Sequence, residues 1–353
     1  MFFCVYLQKM HSDVIKINKS LAEPVYHQIV STVESAIRCG RLKPGEMLPS
    51  MNALAAAEGL SRETVKKAYG ILTDVGVIKP RHGKGFYVAD NSLDAKPSVL
   101  LIFDKLSIYK QTLFNALVGR LGTSADTTIL THGQSLDLFD YYLDQNLDKY
   151  DYYVVTPHFP RDGKSVERAE KLIKRIPNRK LIMTDYWLET VPGNYGAVYQ
   201  SFDQDAYGCF TRESAAFDRV SRLLVITLPN SLYGSLIHVP IRRFAGENGI
   251  PVEFLESVPC DLRSGDAFIL LNSQLESDLA VLAKQASRLG MTVGRDIFVI
   301  SYNEFPLNEV VLGGLTTIST DFAFMGRAVA EMILDRKMGK VHCPFRMTRR
   351  STF

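Results

Sequence analysis

Cysteine is scarce and scattered in this 353-residue chain. Cys4, Cys39, Cys209, Cys260 and Cys343 are odd in number and show no C-x-x-C spacing. That excludes a disulfide framework and a zinc site, and implies a reducing, cytoplasmic compartment. No apolar run is long enough for a membrane span. The opening MFFCVYLQKMH lacks a basic n-region, a long h-region and a small-residue cleavage site. It does not read as a signal peptide, and residues 1–11 are expected to be a frayed extension. An excess of one charge is missing too: 41 Lys and Arg face 38 Asp and Glu, a net of +3. A general polyanion binder would carry more. There is no P-loop, no G-x-S-x-G and no H-E-x-x-H, and the seven histidines are dispersed. Neither a catalytic residue, a cofactor nor a metal is expected.

What charge there is falls unevenly. Residues 24–88 hold nine Lys or Arg against five Asp or Glu, so the positive excess lies in this stretch. Apolar Val25, Ile29, Val33 and Ile37 recur every four residues, which predicts a first helix with one buried stripe. Gly40 and Lys43-Pro44-Gly45 stop it. Pro49-Ser50 starts a second helix, with Leu54 and Ala55 facing inward and Gly59 ending it. Ser61 reads as the N-cap of a third, with Glu63 in its first turn. That helix buries Val65, Ala68, Tyr69 and Leu72 and stops at Gly76. Short strands then flank Arg81-His82-Gly83-Lys84-Gly85. The pattern is a winged helix-turn-helix over residues 12–88, with a weak strand expected at 14–17. The outward residues Arg62, Thr64, Lys66 and Lys67 suit a major groove. The glycine-flanked tip lets backbone approach phosphates closely.

These residues resemble the DNA-binding domain of the GntR family of bacterial transcription regulators. The matching runs are PVYHQI, Gly40 to Ser50 as G-x-L-x-P-G-x-x-L-P-S, LSRETVKKAY, and GKGFYV in the wing. The resemblance implies DNA contacts from Ser61, Arg62, Thr64, Lys66, His82 and Gly83, with Lys84 beside them. Where the family has an arginine in its second helix, this chain has Asn52.

The polar run 89–97 reads as a linker. From residue 98 to 353, short apolar runs alternate with helical patterns. Strands are expected at 98–103, 127–130, 152–156, 180–184, 197–201, 222–228, 252–256, 267–271, 297–301 and 315–319. Helices are expected at 109–121, 138–147, 166–176, 205–220, 276–289 and 322–337, with another at 236–249 broken near Pro240. Such alternation means βαβ units and parallel sheets, here in two lobes with ligands at the strands' carboxyl ends.

This part resembles the effector domain of LacI-type regulators, which shares the fold of periplasmic sugar-binding proteins. GRDIFVISYNEF, LTTIST, Met325-Gly326-Arg327-Ala328 and Arg349-Arg350-Ser351 carry the likeness, with Asp205-x-x-Gly208 in the middle. A GntR reader joined to such a sensor is similar to the arabinose-repressor class. Strand-end loops supply hydrogen-bonding groups and aromatic faces for a sugar. The candidates are Phe103, Asp104, Tyr109, His158, Tyr186, Trp187, Asp205 and Asn272. Asn303 matches the aspartate that in the family hydrogen-bonds sugar hydroxyls. Arg243 fits the family's lobe-two arginine as R-x-x-G with Gly246.

The expected protein is therefore a DNA-binding repressor, homodimeric on a double-stranded palindromic operator, controlled by a monosaccharide, and neither an enzyme nor membrane-bound. Two other readings stay open: a sensor that only dimerises, and a basic module that contacts protein.

Overall fold

The computed structural model describes residues 15–18, 23–38, 40–89, 96–229, 231–271 and 275–353. The expected extension 1–11 and most of the expected linker lie outside the described residues. The chain divides into two compact units, Met1–Pro97 and Ser98–Phe353.

The first unit contains α1 (Val25–Arg38), α2 (Met51–Glu58), α3 (Arg62–Asp74), and a hairpin of β1 (Ile78–Arg81) and β2 (Gly85–Val88). Ser50 caps α2 by accepting from the Ala53 amide at 3.1 Å, and Gly59 ends it with a φ of 60°. Ser61 caps α3 through the Thr64 amide at 3.1 Å. Each cap satisfies an amide that helix geometry leaves without a partner. Ile29, Val33, Leu54, Val65, Tyr69 and Leu72 are all fully buried and form the core. Tyr69 donates its hydroxyl to the Pro49 carbonyl at 2.7 Å, tying α3 to the start of α2. Ile15 is buried in this core, but residues 15–18 form no strand. The Ile17 amide instead bonds the Glu58 carboxylate at 3.1 Å.

The second unit has two lobes. In lobe one, β3 (Ser98–Phe103), β4 (Asp126–Thr131), β5 (Tyr152–Val155), β6 (Leu181–Asp185), β7 (Gly196–Tyr199) and β13 (Lys340–His342) form a parallel sheet, in the order β13-β7-β6-β5-β3-β4. Helices α4 (Ile108–Leu121), α5 (Leu136–Asn146) and α6 (Gly163–Ile173) connect its strands, and α10 (Phe322–Leu334) lies beside α4. Gly326 permits that approach, since a Cβ there would sit 2.3 Å from the Leu113 carbonyl oxygen. In lobe two, β8 (Arg222–Ile226), β9 (Val252–Leu255), β10 (Asp266–Leu270), β11 (Phe298–Tyr302), β12 (Thr316–Thr320) and β14 (Phe345–Thr348) run β14-β12-β11-β10-β8-β9, with β14 antiparallel. Its helices are α7 (Asp205–Arg212), α8 (Gly234–Glu247) and α9 (Leu275–Arg288). The chain crosses between lobes three times: after β7, after β12, and between β13 and β14.

Two expected helices need correction. The one expected at 205–220 ends at Arg212 and gives way to a 3-10 turn, Ser214–Phe217. That turn lets Phe210 and Phe217 both pack on Phe244, at ring distances of 5.3 and 4.8 Å. No break occurs near Pro240: α8 runs through it, because Ile237, Ile241 and Phe244 bury its face on lobe two. Tertiary packing here outweighs the lost backbone hydrogen bond. Strands β13 and β14 were not foreseen; each is short and pairs only after the chain has crossed between lobes.

Candidate functional site

The first unit presents exposed cations on its third helix and on its wing. Arg62, Lys66 and Lys67 are exposed along α3, and Thr64 is half-buried. Ser61 and Thr64 share a hydroxyl contact of 2.7 Å that completes the cap. Lys66 lies 3.4 Å from Glu63, and Lys67 sits 3.6 Å from the Tyr26 ring centre. Arg62 opens the helix at the end where base-reading residues are needed. Asn52 is exposed on α2. In the wing the Lys84 amide donates to the Arg81 carbonyl at 2.9 Å, closing a turn around His82 and Gly83. Gly83 has a φ of 70° and Gly85 a φ of 103°. Both positions favour glycine; Lys84 stands exposed between them and His82 exposed just before them. Space is open around Gly83, so a substitution there is opposed by backbone strain and not by a clash. Gly83→Val is expected to cost about 1–2 kcal/mol locally and to weaken DNA binding, with the second unit still folded. A gel shift on an operator selected from random duplexes checks this, and unchanged affinity would refute it.

The second candidate site lies between the lobes. A cavity of about 370 Å³ is lined by residues at the carboxyl ends of strands from both sheets. From lobe one come Asp104 after β3, Gln134 after β4, His158 after β5 and Asp185 at the end of β6. Lobe two contributes Leu228, Leu271, Tyr302 and Asn303, and Phe202 and Tyr233 add aromatic faces. Six non-glycine residues among those described have positive φ, and three line this cavity: Gln134, Asp185 and Asn303. Backbone strain of this kind gathers at functional sites. The Asn303 amide hydrogen-bonds the Ile318 carbonyl at 2.7 Å, yet its buried Oδ1 has no partner among the described residues. The Tyr302 hydroxyl is likewise buried, with no partner among the described residues. Burial pushes the Tyr302 phenol up, so it stays a hydrogen-bond donor at neutral pH.

A fixed charge cluster forms the floor on the lobe-one side. The Lys110 Nζ lies 3.0 Å from Asp104 and 2.6 Å from Asp185, and all three are almost fully buried. His158 lies 3.6 Å from Asp104 and 3.3 Å from Asp185. Burial alone would raise both carboxyls, but Lys110 and His158 outweigh it and hold them below the usual carboxylate range. Burial would likewise lower Lys110, and the two carboxylates outweigh that and keep it charged. Gln200 donates to Asp185 in a short contact and accepts from the Thr320 hydroxyl at 2.8 Å. The floor is thereby joined to two of the three crossings. His132 is buried behind it, and burial lowers its pKa to about 4. Its neutral ring donates to the Thr156 carbonyl at 3.0 Å and accepts from the Gln134 amide at 3.1 Å, fixing that strained loop.

The structure brings together only part of the expected effector set. Asp104, Tyr109, His158 and Asn303 line the cavity. Tyr186 and Trp187 line a neighbouring one. Phe103 does not reach either, because alternation along β3 turns it with Val99 and Leu101 into the lobe-one core. Asp205 faces a separate open groove at the crossings, where it meets His342 at 2.8 Å. Arg243 is also misplaced by the sequence reading. It is exposed on α8, paired with Glu247 at 3.0 Å and lying over Tyr207. Asn272 lies outside the described residues. Lys110, Gln200, Phe202, Tyr233 and Tyr302 were missed. Lys110 did leave a signal: it stands three residues before Leu113 on the buried stripe of α4, where a lysine needs acidic partners. Nothing in the local sequence marks Gln200 or Tyr233.

Comparison with known proteins agrees with this architecture. Bacterial regulatory proteins of the gntR family match residues 25–88, and the periplasmic binding protein-like domain matches residues 263–351. The HTH-type transcriptional repressor YtrA of Bacillus subtilis is 30% identical over 105 residues, which is 30% of this chain and 77% of that protein. MngR of Escherichia coli K12, the mannosyl-D-glycerate transport/metabolism system repressor, is 34% identical over 83 residues, covering 24% of this chain but only 35% of its own length. The lac repressor dimer solved with operator and the anti-inducer ONPF aligns over 73% of this chain and 94% of its own, with a TM-score of 0.56 and 16% identity, a likeness of fold. No helix among the described residues is long and apolar enough to cross a membrane. The chain belongs to the gntR family of bacterial regulatory proteins, as a winged-helix DNA-binding transcription regulator with a periplasmic binding protein-like C-terminal domain.

Proposed function

We propose that this regulator is a repressor, homodimeric on a palindromic operator, whose DNA binding is controlled by a neutral sugar held between the two lobes. The observation that carries the ligand reading is Asn303. A strained backbone holds it at a strand end, with a buried Oδ1 in the cavity wall that has no partner among the described residues. An unpartnered buried polar atom costs about 1–3 kcal/mol unless something bonds it, and a hydroxyl does so. Neutrality follows from charge. Lys110, behind the cavity floor, is already matched by two carboxylates, and the lysine that lines the cavity itself, Lys105, is a single exposed side chain, so a phosphate would find no cationic cluster there. The aromatic faces of Tyr109, Phe202 and Tyr233 suit the apolar side of one sugar ring, as in a monosaccharide. Ligand binding then shifts an open–closed equilibrium of the lobes, and that shift changes operator affinity. Paired winged helices would read the two half-sites of the operator.

A thermal-shift screen of monosaccharides and their phosphates, followed by calorimetry, tests this. Asn303→Ala is expected to weaken the selected sugar by about tenfold, the value of about 1.5 kcal/mol for one hydrogen bond, while ligand-free DNA affinity is unchanged. Equal affinity in the two proteins would remove Asn303 from the site. Binding of phosphorylated sugars alone would overturn the ligand class.

A further inference from the structure

A second cavity of about 370 Å³ adjoins the first. The two share Gln200, Phe202 and Tyr233 in their walls. Phe202 and Tyr233 stack with ring centres 4.5 Å apart and planes 10° from parallel. Tyr186 leans on both, at 6.3 and 5.2 Å. The partition is therefore built of side chains, and rotamer changes can open it without moving a strand.

On the far side stands Trp187. Its indole N–H donates to the Tyr195 hydroxyl at 2.8 Å, and its ring lies 4.8 Å from that of Tyr199. A held aromatic face costs little further entropy when a ligand stacks on it. Arg161 covers the partition from outside, 5.5 Å from the Tyr186 ring centre and 5.6 Å from that of Tyr233. Glu189 and Asp203 supply acceptors in the same cavity. Aromatic faces edged by both donors and acceptors match a sugar ring, whose C–H faces stack and whose hydroxyls both give and take hydrogen bonds. A purely apolar ligand would leave those charged groups without partners, and an anion would meet Glu189 and Asp203.

We propose that the second cavity is a subsite for a second sugar ring, so that the effector is a disaccharide or longer glycoside spanning both cavities. The Tyr186–Phe202–Tyr233 partition parts at the glycosidic link. This rests on the reading of the first cavity as a sugar site and extends it from one ring to two.

Trp187 is the chain's single tryptophan, so its fluorescence reports on this cavity alone. The full-length protein is titrated with glucose, galactose and mannose, and with maltose, cellobiose, trehalose, lactose and melibiose, by calorimetry and by tryptophan emission. One disaccharide is expected to shift the emission and to bind about tenfold tighter than its constituent monosaccharides. Arg161→Ala alters an exposed side chain outside the first cavity. It is expected to remove the disaccharide's advantage and leave monosaccharide affinity as it was. Monosaccharides that bind as tightly as every disaccharide would overturn the proposal and leave the first site standing. So would a bound disaccharide that ignores both Trp187 and Arg161→Ala. If no sugar of either size binds, the sugar reading of the first cavity fails, and this inference with it.

Discussion

Replacing Lys110 by methionine is expected to destabilise the second unit, Ser98–Phe353, by about 3–5 kcal/mol, the cost of stripping a partner from a buried ion cluster. Methionine preserves the length and apolar stem of the side chain, so loss of packing contributes little. What it removes is the ammonium between Asp104 and Asp185. Two buried carboxylates then face each other with only His158 nearby. Urea unfolding of the full chain, followed by a probe of the second unit, measures the change. A shift below about 1 kcal/mol would show that the cluster contributes little to stability.

The same pair of proteins carries an opposite pH signature. In the native protein Asp104 and Asp185 are held below their ordinary range by Lys110 and His158. Their contribution is present above the unfolded carboxylate value, about 4, and is lost as the pH falls through and beyond it. Without Lys110, burial dominates and raises the carboxyls. The variant therefore loses stability as pH rises through their raised values, and its deficit shrinks toward pH 4. Stability curves that run parallel between pH 4 and pH 8 would contradict this account.

The other large effect lies on the DNA. Arg62→Ala is expected to abolish sequence preference, losing about 1–3 kcal/mol at a guanine read bidentately. Arg62 is the first residue of α3 and is exposed. Among the described residues no acid pairs with it, whereas Lys66 lies beside Glu63. Its guanidinium is therefore available to the fork geometry that a guanine edge requires. Lys84→Ala serves as the contrast. Its ammonium sits on the exposed wing and has no fork, so its loss should weaken all sequences evenly and reduce the salt slope by about one. Gel shifts at graded salt on selected and scrambled duplexes separate the two behaviours. Arg62→Ala binding the selected duplex as well as wild type would remove α3 as the reading helix.

Much of this protein could be read from the chain alone because the deciding interactions are local. Ser50, Gly59 and Ser61 act within three or four residues of where they stand, and the stripes Ile29–Val33 and Val65–Ala68–Tyr69–Leu72 have helical period. The winged helix was legible for that reason. The parallel sheets were too, since fully buried strands such as Val99–Phe103 are unbroken apolar runs. Asn303 could be found because an apolar strand visibly ends before it. Arg243 could have been rejected by the same logic: Ile237, Ile241 and Phe244 mark the buried face of α8, and position 243 falls off it.

Tertiary structure alone decided the rest. Lys110, on helix α4, is a buried ion only because Asp104 and Asp185, from the ends of β3 and β6, converge on it. The Asp185–Gln200–Thr320 link joins residues up to 135 positions apart. β13 and β14 follow each other in sequence yet belong to different sheets, because the chain between them crosses from one lobe to the other. Which side chains face the cavity depends on strand order and on the close approach of the lobes. Those are set by the summed burial of surfaces far apart in the chain, and no short window of residues encodes such a sum.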